Sequence, residues 1–411
     1  MRVTLQDLVR DFPWPWRAAR PGVAAPSAEE AGAAEAARAV RAVLEAVPTP
    51  ILLLDADLKI TAANGEARGR WAGALEGQRL SAVVRFPPLL DAAAACRQGA
   101  AARTLEYAPS GQVEEHFLCT VAGVEQRHGR DVLVVFQDRT GEIMAERTRV
   151  DFVANASHEL RTPLAALTGL IETLAGHAKD SAEDRATFLA MMQVQAERMR
   201  RLIDDLLSLS RIELDENVPP SGRADLAAIA REAADACAPA AAARGARIEV
   251  IGAEGAEVIG DRFQLVQVAQ NLIENALKSS SVGGLVRVDV APPLARAQAE
   301  EAAGRRWAEA DRHSLLTPPP APARAYGVLR VEDAGPGVPR RYLPRLGERF
   351  FRVEREEGVD RGGTGLGLAI VKHIVNRHRG GLIVESRAGQ GAAFGVYLEG
   401  VRPGPGGQEG G

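Results

Sequence analysis

Aromatic residues make up only 4% of this sequence, and long hydrophobic runs are missing. The first scarcity means that cores must be built from Ala, Val and Leu rather than from rings. The second excludes a bilayer-spanning helix, which needs about 20 consecutive apolar residues. The strongest run, Pro48 to Leu54, stops at Asp55. Met1 to Arg20 lacks the apolar middle of a secretory signal, and its Trp14 and Trp16 would suit a peripheral contact at the inner membrane. A short tail packed on its own domain is the plainer reading. Cysteine is also scarce: Cys96, Cys119 and Cys237 are far apart and show no C-x-x-C spacing. That pattern excludes a disulfide framework or a structural zinc site, and a reduced, cytoplasmic chain is expected. Nor is there an excess of one charge. Fifty Lys and Arg against 54 Asp and Glu leave −4, which gives no general attraction for nucleic acid or an anionic membrane, so nucleic acid is not an expected partner.

A chain of 411 residues, at about 150 per domain, holds two or three domains. Residues 1–38, rich in Ala, Pro and Glu, form a tail and linker. Two short strands, Ile51 to Leu54 and Leu58 to Ala62, meet at the Asp55-Ala-Asp57 turn. Helices follow within Glu66 to Gly99, then strands at Glu115 to Ala122 and Val132 to Gln137. This α+β block, residues 39–140, resembles a PAS sensory domain in the stretch ILLLDADLKITAANGEA. His116 and His128 are expected at its surface.

From residue 141 the texture becomes helical. Val150, Val153, Ser157, Leu160, Leu164, Leu167, Ile171 and Leu174 repeat by three and four, and a second helix carries Phe188, Met192, Gln195, Met199, Leu202, Leu206 and Leu209 in the same rhythm. An antiparallel hairpin over residues 141–218 leaves both stripes uncovered unless two chains join as a four-helix bundle, so a homodimer is expected. Pro219-Pro220 opens a last domain, residues 219–401, in which helices alternate with strands as a two-layer α/β unit. Residues 291–325 read as an insertion with few large apolar side chains, dispensable for folding. Residues 402–411 are a Gly/Pro-rich tail.

Four constellations carry chemistry. His158-Glu159 lies off the apolar seam, and a neutral imidazole beside a carboxylate is nucleophilic near neutral pH. Pro163, inside an otherwise regular helix pattern, favours a bend close to that histidine. Asn271, Glu274, Asn275 and Lys278 share one helix face, and sparse oxygen ligands suit Mg²⁺, which takes the rest of its shell from water and phosphates. Asp333-Ala-Gly335-Pro-Gly337 follows a strand, and Gly363-Thr364-Gly365-Leu366-Gly367 runs into a helix whose N–H groups can meet a phosphate.

In this order on one chain, these motifs are similar to the H, N, G1, F and G2 boxes of sensor histidine kinases, the F box being Glu348-Arg-Phe350-Phe351-Arg352. The run DFVANASHELRTPLAAL behind a PAS-like domain is most like the phosphate-regulon sensor kinases. The resemblance implies a multidomain α+β chain: the PAS-like domain, a histidine-phosphotransfer hairpin and a Bergerat-type ATP-binding domain. It implies that ATP phosphorylates His158, that Glu159 acts as base or orienter, and that a response-regulator aspartate then receives the phosphoryl group. Thr162 is implied in dephosphorylating that regulator. Asn275 and Asn271 would hold Mg²⁺, Lys278 would neutralise phosphate, and Asp333, with Gly335 and Gly337 in its turn, would read adenine. Gly363, Thr364, Gly365, Leu366 and Gly367 would cradle phosphates, and Phe350 and Phe351 would anchor a lid, Val353 to Arg361. Ser279 departs from the family, which often has an aromatic there. A scaffold or phosphatase with little kinase activity is the alternative, and an ATP-driven clamp of the gyrase type lacks the upstream His-Glu-x-x-Thr-Pro helix.

Overall fold

A computed structural model describes residues 41–71, 73–109, 111, 114–126, 129–176, 181–216, 218–252, 254–305, 307–319, 324–353 and 363–401. The chain divides into two compact units, Met1–Asp151 and Phe152–Gly411. The expected tails, most of the lid and His128 lie outside the described residues.

In the first unit a five-stranded antiparallel sheet has the order β2-β1-β5-β4-β3, with β1 Ile51–Leu54, β2 Ile60–Ala63, β3 Arg103–Tyr107, β4 Phe117–Gln126 and β5 Gly129–Asp138. The alternation of its apolar residues sends Leu52 and Leu54 to one face and Ile51 and Leu53 to the other. Helices α1 Gly65–Arg70, α2 Leu80–Val83 and α3 Pro87–Arg97 follow. Asn64 starts α1 as its N-cap, accepting the Ala67 N–H at 3.0 Å, and its carboxamide also ties down the chain from Leu44 to Thr49. Strand β3 went unread in the sequence because its residues are mostly exposed and polar. His116 is not a plain surface residue: its ring lies 3.1 Å from Glu114 and is mostly buried.

Helices α4 Thr140–Ala175 and α5 Ala182–Leu214 are the expected hairpin. Ser181 caps α5 by accepting the Asp184 N–H at 3.2 Å. Helix α4 continues through Pro163, which is buried. Large apolar residues of the first seam stay exposed, among them Val153, Leu164 and Ile171. The C-terminal part of the second stripe differs from expectation. Leu202 and Leu209, with the neighbouring Ile212, are buried and Leu206 is partly buried in the core of the last domain.

That domain has a six-stranded sheet in the order β10-β12-β13-β11-β9-β7. Its strands are β7 Arg247–Gly252, β9 Leu285–Ala295, β10 Asp311–Leu316, β11 Ala325–Asp333, β12 Gly381–Arg387 and β13 Gly391–Glu399, while β6 Arg223–Asp225 and β8 Glu257–Ile259 form a separate pair. Helices α6 Leu226–Ala243, α7 Arg262–Ser279 and α9 Gly367–Arg377 cover one face, packing on Val286, Val288, Leu329, Val331, Val384 and Val396. The two-layer arrangement holds, but the expected loose insertion does not. Its helix α8 Arg296–Gly304 buries Ala299 and Ala303 against Tyr326, Val328 and Tyr397 on the opposite face of the sheet. Its strand β10 pairs with β12 at the sheet edge.

Candidate functional site

A cavity of about 1290 Å³ opens between α5 and the sheet-covering helix α7. Asp261 caps α7 by accepting from the Phe263 and Gln264 N–H groups, and the 3.6-residue period then turns Asn271, Glu274, Asn275 and Lys278 to the cavity while Leu272, Ile273, Ala276 and Leu277 face the core. Lys278 Nζ lies 3.0 Å from Glu274 Oε2. The amide nitrogen of Asn271 is buried without a hydrogen-bond partner. An unpartnered buried donor is costly, and a ligand's acceptor oxygen would satisfy it.

Asp333, at the end of β11, is 3% exposed and lines the cavity. Its Oδ1 accepts the Gly335 N–H at 2.8 Å and the Ala392 N–H at 3.4 Å, which holds the carboxylate fixed. Gly391 must be glycine: its φ is +117°, and a Cβ there would meet the Asp333 carbonyl oxygen at 1.8 Å. Gly337 also lines the cavity, whereas Gly335 shapes the turn.

Gly363, Thr364, Gly365 and Gly367 complete the wall. Gly365, at φ +71°, passes so close that a Cβ would lie 2.8 Å from the Phe350 backbone, and its carbonyl accepts the Phe350 N–H at 2.9 Å. Leu366 is fully buried and precedes α9, with no side-chain cap on the first N–H groups of that helix. Phe351 lines the cavity, while Phe350 packs on Phe152 of α4 with ring centroids 5.9 Å apart.

The far wall comes from α5, and sequence reading had given it no role in the site. Val194, Arg198, Arg201 and Asp205 line the cavity from this helix. Asp205 Oδ2 accepts the Thr364 hydroxyl at 2.8 Å, and burial holds this carboxyl above the usual carboxylate range against the lowering effect of that bond. The spacing 194, 198, 201, 205 is a helix face, a signal overshadowed by the apolar stripe beside it. Below it Arg349 reaches Glu213 at 2.5 Å, and Arg377 donates to the Asp215 and Val218 carbonyls, each at 3.1 Å.

On α4, His158 is exposed as expected. Glu159 does not hydrogen-bond to it; its Oε2 lies 3.8 Å from the Arg198 guanidinium across the hairpin. The Thr162 hydroxyl donates to the His158 carbonyl at 3.3 Å, a bond back to the previous turn. Among the described residues no group of three or more His, Cys, Asp or Glu could hold a metal ion. The oxygens of Asn271, Glu274 and Asn275 are a sparse, hard donor set that fits a cation completing its shell with phosphate and water, as Mg²⁺ does.

Residues 148–215 match the His Kinase A phospho-acceptor domain, and residues 260–401 match the histidine kinase-, DNA gyrase B- and HSP90-like ATPase. The chain is 36% identical over 270 residues to the phosphate regulon sensor protein PhoR of Pseudomonas aeruginosa, covering 64% of this chain and 53% of that protein. It is 32% identical over 265 residues to the sensor-like histidine kinase SenX3 of Mycolicibacterium smegmatis, covering 64% and 61%. To the sensor histidine kinase WalK of Bacillus subtilis it is 30% identical over 284 residues, covering 66% and 40%. The chain therefore spans between two fifths and about three fifths of the length of these relatives. With a phosphoacceptor hairpin and an ATPase domain in this order, and the motifs of both in place, it belongs to the sensor histidine kinases.

Proposed function

We propose that the protein is an ATP-dependent protein-histidine kinase that phosphorylates His158 and passes the phosphoryl group to an aspartate of a response regulator. The observation that carries this reading is the cavity, which has the ATPase motifs on one wall and the helix paired with the phosphoacceptor helix on the other. Asp333, held by backbone N–H groups, would accept from adenine's exocyclic amine. Gly363 to Gly367 and the uncapped start of α9 offer N–H groups to the phosphates. Asn275 and Asn271 would hold Mg²⁺, whose charge offsets that of the phosphates, and Lys278 adds a second cation. The unprotonated ring nitrogen of His158 forms the N–P bond, the bond from the γ-phosphorus to the bridging oxygen breaks with its electrons going to ADP, and the proton on the other ring nitrogen leaves to solvent. Positioning and charge neutralisation supply the acceleration.

Residues 39–140 are the input module; the antiparallel sheet with helices on one face supports a PAS-like sensor. Phosphate-regulon signalling is the pathway we favour, on the likeness to PhoR. The exposed seam of α4 supports a homodimer, and the need for ATP and a regulator supports a cytoplasmic setting. Among the described residues no helix is long and apolar enough to cross a membrane. Thr162 would serve in regulator dephosphorylation by orienting a water, which requires its hydroxyl to leave the His158 carbonyl.

Incubating the full chain with γ-labelled ATP and Mg²⁺ tests the reading. Wild type should take up acid-labile, base-stable label, and His158→Gln should take up none while still binding ATP. Equal labelling of both would move the phosphoacceptor elsewhere, and an unlabelled wild type that binds ATP would favour a scaffold.

A further inference from the structure

We propose that Arg198 is a further residue of phosphoryl transfer, a guanidinium between the nucleotide cavity and the phosphoacceptor that neutralises the γ-phosphoryl group as it moves to His158. The inference rests on the kinase reading above. Arg198 and Arg201 are the cations that α5 presents to the cavity among the described residues. Arg201 pairs within its own helix, 3.6 Å from Glu197, and its side chain is 55% exposed. Arg198 is 30% exposed and reaches the other helix of the hairpin, 3.8 Å from the carboxylate that follows His158 in the chain. The same side chain therefore lines the donor cavity and reaches the residue that follows the acceptor histidine in the chain.

The charge balance of the step calls for a cation at that place. Lys278 sits on the ATPase wall beside Glu274, where it can stay with the departing ADP. The transferred group carries its charge over three equatorial oxygens and arrives on the residue before Glu159, a like charge one position along the helix. A guanidinium has five N–H donors in a planar fork, so it can hold a carboxylate and exchange other contacts for a phosphoryl oxygen. Arg198 gives up no proton; its contribution is electrostatic and strongest when bond making and breaking have spread the charge.

The test uses the full chain with Arg198→Gln and Arg198→Lys, measuring nucleotide affinity by equilibrium dialysis and the single-turnover labelling rate at saturating ATP. Arg198→Gln should slow labelling about 100-fold or more while ATP affinity stays within about threefold, the pattern of a group acting in the transition state. Arg198→Lys, a point charge without the fork, should recover about tenfold of that loss. Return of phosphate from the labelled chain to ADP should be slowed in the same proportion, since both directions share one transition state. Labelling of Arg198→Gln at the wild-type rate would overturn the proposal and leave the kinase reading standing. A loss seen only as weaker ATP binding would also overturn it, making Arg198 a ground-state contact. Absence of label in the wild type itself would instead strike the reading on which the proposal rests.

Discussion

At the scale of single residues, the buried titratable groups separate chemistry from scaffolding. His378 ends α9, and its ring is locked: Nε2 accepts the Asp261 N–H at 3.0 Å and Nδ1 donates to the Ile374 carbonyl at 2.7 Å. Burial, the largest influence, pulls its pKa below the ordinary 6.5. The folded protein thus takes up this proton less readily than the unfolded chain, so the stability that the neutral ring contributes is present above pH 6.5 and lost as pH falls through the depressed value. The unfolding midpoint of the wild type should fall below pH 6.5 more steeply than that of His378→Gln, which has no proton to gain. Parallel curves from thermal melts across that range would contradict the assignment. The cysteines behave as core residues: all three are free and buried, and burial pushes the Cys119 thiol up to about 12 and the Cys237 thiol to about 11.

At the scale of elements, the insertion shows how composition can mislead. Few of its side chains are large and apolar, yet it completes the ATPase domain through an ionic cluster. Glu385 of β12 is fully buried and receives Arg312 of β10 at 3.0 Å, Arg330 of β11 at 3.2 Å and the Trp307 N–H at 2.9 Å. The Arg330 guanidinium also lies 5.8 Å from the centre of the Trp307 ring. Removing one member of such a cluster leaves an uncompensated buried charge. Arg330→Met should therefore cost about 3–5 kcal/mol in denaturant unfolding. Excising Arg296 to Leu316 should be worse, because it uncovers Tyr326 and Tyr397 and strips Glu385 of Arg312. A full-stability deletion variant would show the domain closing without the insertion.

At the scale of the whole molecule, the hairpin serves two surfaces. The lower half of α5 is occupied by the ATPase domain, through Leu202, Leu209, Ile212, the Thr364–Asp205 bond and the Arg349–Glu213 pair. Part of the α4 stripe is uncovered, with Leu164 54% and Ile171 52% exposed, while Leu160 packs on the ATPase core. In the homodimer proposed above a second copy would bury these residues, so Leu164→Glu with Ile171→Lys should make the chain monomeric at micromolar concentration by light scattering. Leu206, which packs on the ATPase core, is the wrong place for that test: its substitution should destabilise the docked domain before it alters the oligomer. A wild type that is already monomeric would show the stripe covered in another way.

What the sequence determined by itself is whatever depends on local spacing. The heptad rhythm marked α4 and α5, the polar face of Asn271 to Lys278 marked one cavity wall, and the glycine pairs marked turns where the backbone passes close to other groups. What it could not decide is which surfaces meet. Nothing in the spacing of Arg198 and Asp205 distinguishes them from the solvated side of a helix, and only the docking of the ATPase domain brings them to the cavity. Glu159, adjacent to His158 in the chain, turns to Arg198 instead, because side chains next to each other on a helix point away from one another while those across a hairpin can meet. The polar insertion became core for the same reason: a charge can be buried only when its partners arrive from other strands, and Glu385 finds Arg312 and Arg330 more than fifty positions away in the chain.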